Sequence, residues 1–198
     1  MKRIIKSPTS EIISKKLLHK TNSDNSKLRE ILYKEQKGFC AYTEEYIGFN
    51  DSKDIEHFNP NLKDNSTDNY YNWYLVKHLP NQRKMTNWNE LILMPYAEDF
   101  EKRVIYDNFE YFAKPNDEEA NNLILLLDLN NQIKVKERRV YINRRREAIN
   151  DKKLLNQNDI IKYFQDKIDN EIKQISYLRV IQEEFKIDIW QMIPELNK

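Results

Sequence analysis

Only two glycines occur in this chain of 198 residues, and the first of them, Gly38, closes a helical pattern. Apolar residues recur at helical spacing between Leu28 and Leu32, after a run of polar residues of the kind that cap helices. Glycine is the residue that most readily adopts the left-handed backbone with which many helices end. The sequence therefore predicts a helix over about 24–37 that ends at Gly38.

Two short β-like runs follow this helix. The segment FCAYTEEYIGFNDSKDIEHFNP (39–60) holds two stretches rich in aromatic and apolar residues, separated by the turn-like GFNDS. A polar loop, NLKDNSTDN, precedes the aromatic stretch YYNWYLV, and a helix is expected to begin near Pro80 or Asn81, since proline is tolerated in the first helical turn. The sequence therefore predicts that residues 38 to about 90 form two strands, a loop and a helix, in that order.

The C-terminal half is predicted to be mostly helical. The segment RRVYINRRREAIN (138–150) has a helical pattern, and farther on six apolar residues recur at intervals of 3, 4, 4, 3 and 3. These six residues are Ile161, Phe164, Ile168, Ile172, Ile175 and Leu178. The chain length suits one compact domain with a real core.

Composition excludes several classes of protein. Charged residues make up 33% and apolar residues 39% of the chain, which is typical of a folded globular protein. No apolar run reaches the roughly 18 to 20 residues that cross a bilayer, and the N-terminal stretch has no secretory signal, so we expect a cytoplasmic protein without a membrane partner. The single cysteine, Cys40, excludes an internal disulfide and a zinc site made of cysteines alone.

Charge is unevenly distributed although the net charge is only +1. Residues 134–153 contain nine Lys/Arg against three acids, which could follow a phosphate backbone. The candidate nucleic-acid contacts there are Arg138, Arg139, Arg144 and Arg145. Residues 98–119 contain eight acids against three bases and are a candidate docking region for a protein. The other interpretation of each charge run is a solvated surface.

The segment DIEHFNP (54–60) places a carboxylate, Glu56, directly beside His57, one of three histidines. Asn72 follows in NWYL and Asn81 in PNQRK, nine residues apart. Histidine suits the activation of water near neutral pH, which hydrolysis of a phosphodiester requires. In this order and spacing the residues resemble the HNH endonucleases, which are built on a ββα-metal unit.

The resemblance implies a role for each of these residues. His57 would be the general base, Asn72 would brace the loop, and Glu56 and Asn81 would bind Mg²⁺ or Mn²⁺, which prefer oxygen ligands. Lys84, one helical turn beyond Asn81, would contact a phosphate. Asp54 is a weaker candidate on the same strand face as Glu56. Adjacent strand residues point to opposite faces, so the resemblance further implies a distorted strand end that brings Glu56 to the metal. His19 and His78 are interpreted as structural.

Nearly the whole chain is similar to one branch of this family, the PtuB-type HNH nucleases of Septu and retron-linked anti-phage systems. The segments that carry the similarity, in order, are MKRIIKSPTS, KLREILYKEQKGFCAYTE, DIEHFNP, YYNWYLVKHLPNQRK, ELILMPYAEDFEKRVIYD and LLLDLNNQIKVKERR. The resemblance implies an effector that cuts nucleic acid together with PtuA, an ATPase of the ABC type, with a homodimer possible in the complex.

One departure concerns zinc. Many members of the branch carry two CxxC motifs, but the four matching positions here are Cys40, Thr43, Lys77 and Pro80. A structural zinc needs about four nitrogen or sulfur ligands, so we predict no structural zinc. Packing by aromatic residues is predicted to hold the two strands instead. These residues are Phe39, Tyr42, Trp73 and Tyr74.

The sequence thus predicts an α+β fold, mostly helical, with a small hairpin-plus-helix HNH unit. The predicted parts are an N-terminal arm and helix (1–37), the ββα-metal module (38–90) and a helical C-terminal part (91–198). The predicted function is metal-dependent hydrolysis of DNA within an anti-phage complex. Two alternatives stay open: the same site acting on RNA such as tRNA, and a catalytically weak subunit that binds a partner.

Overall fold

The first long helix ends at Glu35, two residues before the predicted end, and the left-handed backbone that follows it begins at Lys37, with a φ of 52°, and continues at Gly38. In the computed structural model, which describes residues 1–78, 84 and 88–196, a short helix α1 (Glu11–Ser14) precedes α2 (Ser26–Glu35). Gly38 has a φ of 82°, and a Cβ there would lie 2.8 Å from a ring carbon of Tyr46. Both the left-handed backbone and the lack of space therefore call for glycine at this position.

The hairpin of this fold joins different segments from those predicted. Strand β1 (Lys53–His57) pairs antiparallel with β2 (Trp73–Lys77), so that His57 faces Trp73 and Lys53 faces Lys77. The prediction that residues 39–47 form the partner strand is wrong, because this run folds into a tight turn closed by a single bridge between Phe39 and Tyr46.

The physical reason lies in the run 73–76. All four of its residues are buried, and a backbone buried on both faces must have its hydrogen bonds satisfied, which pairing with β1 provides. Two 3₁₀ turns, Pro60–Leu62 and Tyr70–Asn72, lie in the connection between the strands. The predicted helix that begins near Pro80 or Asn81 lies outside the described residues.

A second hairpin follows a short helix, α3 (Phe100–Arg103). Strands β3 (Val104–Asp107) and β4 (Glu110–Ala113) pair antiparallel around a two-residue turn, Asn108 and Phe109, in which both φ angles are positive. Helix α4 (Glu118–Leu126) then begins with its N-cap residue Asp117 accepting a hydrogen bond from the backbone of Ala120.

The remaining chain is helical, as predicted, but one predicted helix is interrupted. Its elements are α5 (Gln132–Asp151), α6 (Gln157–Glu171), a 3₁₀ turn (Ile172–Gln174), α7 (Leu178–Phe185) and α8 (Ile189–Met192). The apolar period predicts one helix through Leu178, yet α6 ends at Glu171. Ser176 bridges to Glu45, and Tyr177 donates its backbone N–H to the carbonyl of Glu44, so pairing with the turn at 39–46 replaces further helix.

Two apolar cores support these elements. One packs the N-terminal arm, α2, the first hairpin and α4; the other packs α5 to α8. Of the four aromatic residues predicted to replace zinc in packing, Tyr42, Trp73 and Tyr74 are buried in the first core and Phe39 in the second. The α+β class is confirmed, and the three-part division of the chain stays a prediction. Across the described ranges, the helices are too short or too polar to span a bilayer.

Candidate active site at the end of the first hairpin

His57 is the last residue of β1, where the hairpin meets the loop that carries Asp68. Its Nε2 lies 3.1 Å from Oδ2 of Asp68, and the two side chains are 7% and 6% exposed. The contact is too bent to count as an aligned hydrogen bond, so its main effect is electrostatic. A buried carboxylate beside an imidazole fixes which ring nitrogen carries hydrogen.

Asn72 holds this arrangement in place. Its Oδ1 accepts from the backbone N–H of Asn59 at 2.7 Å, and its Nδ2 donates to the carbonyl of Asn59 at 3.1 Å and to Oδ1 of Asp68 at 2.8 Å. The side chain therefore ties both ends of the loop between the strands to each other. Asn69 caps the 3₁₀ turn Tyr70–Asn72, because its side chain accepts a hydrogen bond from the backbone N–H of Tyr71.

Asp68 is held as an anion. Burial raises its pKa, but the contact with His57 and the hydrogen bonds from Asn72 and Trp73 outweigh burial and leave the pKa below its ordinary value. The bond from Trp73 comes from Nε1 to Oδ2 at 2.9 Å. The loop therefore presents a permanent negative charge to His57 at neutral pH.

His19 also belongs to this cluster, which the interpretation of His19 as structural did not foresee. Its ring lies edge-on to that of His57, with centroids 4.4 Å apart. Its Nδ1 is buried and has no hydrogen-bond partner among the described residues. Burial, and secondarily the neighbouring His57, lowers the pKa of His19. The segment after α1 therefore places a neutral imidazole against the candidate base.

Glu56 has different neighbours from His57, as the alternation of strand residues requires. Its Oε1 lies 2.8 Å from Nζ of Lys84 and 3.4 Å from the hydroxyl of Tyr42. Burial raises the pKa of Glu56, the ammonium of Lys84 opposes this, and the net pKa lies above its ordinary value. Strand β1 stays in register through Glu56 and His57, so the distorted strand end that the resemblance implies is not present.

The described residues do not fit a divalent cation as they stand. Within residues 1–78, 84 and 88–196, no three His, Cys, Asp or Glu side chains are grouped to bind a metal. Glu56, the predicted ligand, already faces an ammonium at 2.8 Å, which a cation would have to displace. The second predicted ligand, Asn81, lies outside the described residues.

Two predicted nucleic-acid contacts are buried instead. Lys84 is only 2% exposed and pairs with Glu56, so it is not placed to contact a phosphate. Arg138 is 4% exposed and donates to the backbone carbonyls of Phe109 and Leu129, both at 2.8 Å. Both predictions fail for the same reason: a long basic side chain can satisfy an internal acceptor.

The other three predicted arginines lie nearer the surface. Arg139 and Arg144 are exposed, and the guanidinium of Arg139 lies 5.3 Å from the ring centroid of Phe109. Arg145 donates to the carbonyl of Gln174 at 2.6 Å. The weaker candidate Asp54 pairs with Nδ1 of His78 at 2.7 Å, at the far end of the hairpin from His57.

The N-terminal arm contacts the first hairpin through Lys6. The ammonium of Lys6 donates to the backbone carbonyl of Trp73 and lies 4.3 Å from the ring centroids of both Tyr70 and Tyr74. Burial lowers the pKa of Lys6 to about 7, although the nearby Glu35 raises it. A partly neutral, half-buried amine thus lies beside Trp73, the residue that pairs with His57.

Sequence reasoning missed Asp68 and His19. Asp68 stands four residues before Asn72, within reach of the same 3₁₀ turn, and this spacing is the one local signal that could have found it. His19 has no such signal, because its contact with His57 joins residues far apart in the chain.

Comparison of the chain with protein-family models, with curated proteins and with solved structures finds no match.

Proposed function

We propose that this protein is an HNH-type endonuclease that hydrolyses DNA phosphodiester bonds, with His57 as general base. The observation that carries the proposal is the buried carboxylate of Asp68, 3.1 Å from Nε2 of His57 and held by Asn72. A histidine oriented by a carboxylate, with the carboxylate itself fixed by hydrogen bonds, is an arrangement suited to general-base catalysis.

Each residue of the cluster has a distinct role in this proposal. Asp68 favours hydrogen at Nε2 of His57, which leaves Nδ1 to accept a proton from an attacking water. As the imidazolium forms, the charge of Asp68 stabilises it. Asn72 acts as a positioning residue, because it holds the carboxylate without touching His57. His19 packs edge-on against His57, which is only 6% exposed, and so limits the contact of this ring with solvent.

Metal dependence is part of the proposal through the resemblance alone. Mg²⁺ or Mn²⁺ would supply the stabilisation of negative charge on the phosphate. Because Glu56 is already paired with Lys84, no step of the mechanism above depends on the ion. Cleavage measured in EDTA, and again with each metal added, tests this part separately from the role of His57.

The test of the base is a comparison of variants on supercoiled plasmid, single-stranded DNA and tRNA. We expect His57→Ala and Asp68→Asn to reduce cleavage about 10² to 10⁴-fold, the range typical of a general base. His78→Ala is the matched control, since His78 lies at the other end of the hairpin and should cleave like the unmodified protein. Unchanged cleavage by His57→Ala would reject the mechanism, and a preference for tRNA would redirect it to RNA.

A partner-binding subunit with little activity is the second candidate. The observation that favours it is the buried ion pair at Glu56, which gives the predicted metal ligand a structural role. Absence of cleavage on all three substrates, with and without a co-purified PtuA-type ATPase, would favour this candidate. Cleavage that appears only with the ATPase would favour the nuclease working in a complex.

A further inference from the structure

A cleft of about 990 Å³ lies between α5 and the segment 173–177, away from His57. The cleft is also lined by Glu45 and Ser176, whose bridge joins the turn at 39–46 to the C-terminal half. One face of α5 forms a wall, since the lining residues are spaced three or four apart along the helix. They are Ile133, Lys136, Glu137, Val140 and Arg144.

The cleft carries more positive charge than its own acids neutralise. Five cations and two acids, Glu45 and Glu137, line it. Lys77 pairs with Glu45 at 2.8 Å, and Arg145 donates to a backbone carbonyl. The three other cations are exposed and make no ion pair with any described residue; they are Lys136, Arg144 and Lys173. These three are therefore available to an external anion.

Aromatic rings lie beside these free cations. Tyr141 and Tyr177 line the cleft edge-to-face, with ring centroids 5.4 Å apart, and Tyr46 lines it as well. The hydroxyl of Tyr141 donates to the carbonyl of Gln174 at 3.1 Å and accepts from the backbone of Ser176 at 3.2 Å. The protein therefore fixes this ring, and the guanidinium of Arg145 lies over one of its faces, with its carbon 4.8 Å from the ring centroid. Positive charge along a groove, interleaved with aromatic rings, is the composition of sites that bind single-stranded nucleic acid.

We infer that this cleft binds a single-stranded nucleic acid, with phosphates on Lys136, Arg144 and Lys173 and bases against the tyrosines. The inference rests on the proposed function, for which the cleft would capture the substrate. Lys77 lines the cleft at one end of β2, and Trp73, which faces His57, lies four residues away along the same strand. Four residues of a strand span roughly 13 Å, which is the length of about four stacked nucleotides. An acidic protein segment would use the cations but gain nothing from stacking.

The test measures binding apart from cleavage. A short fluorescent oligothymidylate is titrated in EDTA against full-length protein carrying His57→Ala, and anisotropy is read over a range of salt. Replacing Lys136, Arg144 and Lys173 by Glu together should weaken binding at least about tenfold and lower the salt slope by about 2, since each phosphate on a single strand contributes about 0.7. An abasic oligonucleotide of equal length should bind about fivefold or more weakly for each stacked base lost.

A control variant separates the cleft from general charge. Lys27, Lys102 and Lys162 are exposed and lie outside the cleft, so changing all three to Glu alters the net charge equally. We expect this variant to keep its salt slope. Equal weakening by both triple variants would overturn the inference, as would tighter binding of a duplex, or competition by polyglutamate as effective as that of the oligonucleotide.

Failure of the inference and failure of the proposed function give different results. Tight binding that depends on the cleft, in a protein that cleaves nothing, would reject the nuclease and keep the cleft. Cleavage that depends on His57 but not on the three cleft cations would keep the nuclease and reject the cleft.

Discussion

The ion pair between Glu56 and Lys84 gives the sharpest test of the site's energetics. Their side chains are 9% and 1% exposed, and the closest approach is 2.8 Å. Replacing Lys84 by Met keeps most of the side-chain volume but leaves Glu56 buried without its cation. We expect this variant to be strongly destabilised at neutral pH, because removing one partner of a buried pair leaves an uncompensated charge.

The size of the expected destabilisation follows from the cost of protonating Glu56. The carboxyl can avoid the buried charge by taking up a proton, and this costs about 1.4 kcal/mol for each pH unit above its unfolded pKa of about 4.3. At pH 7 the limit is therefore about 3 to 4 kcal/mol, close to the roughly 3 to 5 kcal/mol typical of broken buried pairs.

The same reasoning fixes the sign of the pH dependence. Burial already raises the pKa of Glu56 above its ordinary value, and removing Lys84 raises it further. Between the unfolded and the folded pKa the folded state binds more protons, so stability falls as pH rises through this window. The cost of Lys84→Met should therefore be largest at neutral pH and nearly vanish near pH 4.3.

Urea unfolding followed by circular dichroism measures these free energies. The double variant Glu56→Gln with Lys84→Met carries no buried charge and should recover most of the loss. Lys34→Met is the matched control, since Lys34 pairs with Glu30 at the surface and should change stability by about 0.5 kcal/mol or less. The reasoning is refuted if Lys84→Met costs under about 1 kcal/mol at pH 7, or if its cost does not shrink toward acid pH.

Three further predictions concern stability. Asn72→Ala should lower the free energy of unfolding in urea by about 2 to 4 kcal/mol, because it removes three hydrogen bonds. The control Asn65→Ala, at an exposed position, should lower it by under about 1 kcal/mol, and equal costs would contradict the bracing role of Asn72. The pKa of Lys6 is lowered to about 7, so the unfolded state binds more protons than the folded state between about pH 7 and about pH 10.4, and stability should rise with pH across this window. Above about pH 8, where the N-terminal amine has lost its proton in both states, the rise should vanish in Lys6→Met, which unfolding at stepped pH would show. Gly38→Ala should lower the free energy of unfolding by about 1 to 3 kcal/mol, because its backbone is left-handed and its Cβ would meet Tyr46. The control Gly48→Ala, whose new Cβ meets its nearest neighbour at 3.6 Å, should be nearly neutral, and a neutral Gly38→Ala would contradict this account of Gly38.

Local signals predicted the parts of the fold that local physics determines. Helix α2 follows from its apolar spacing and ends within three residues of the left-handed Gly38, and the helical pattern of 138–150 lies within α5. The partner of β1 was predicted wrongly, because both candidate runs have β-like composition and only packing of the whole chain buries 73–76 in the first core. The break at Glu171 likewise depends on the bridge from Ser176 to Glu45, which no local pattern shows.

The candidate site divides in the same way. His57 and Asn72 were found from the resemblance, and the structure brings both near Asp68, whereas Asp68 and His19 required the fold. Their contacts with His57 join a loop and the segment after α1 to a strand end, so no spacing rule applies to them. Lys84 and Arg138 show the opposite failure, since sequence gives their charge but not whether an internal acceptor removes them from the surface.

The two halves of DIEHFNP can therefore be judged separately. His57 is placed against a fixed anion, and its proposed role does not depend on any ion. Glu56 lies against Lys84, so a metal at this carboxylate must displace the ammonium and offset the loss of a buried pair, about 3 to 5 kcal/mol. That cost corresponds to an affinity lowered by a factor of at least about 10². If the protein binds Mg²⁺ tightly, Lys84 must move when it does, and Lys84→Met should then strengthen metal binding while it weakens the metal-free fold.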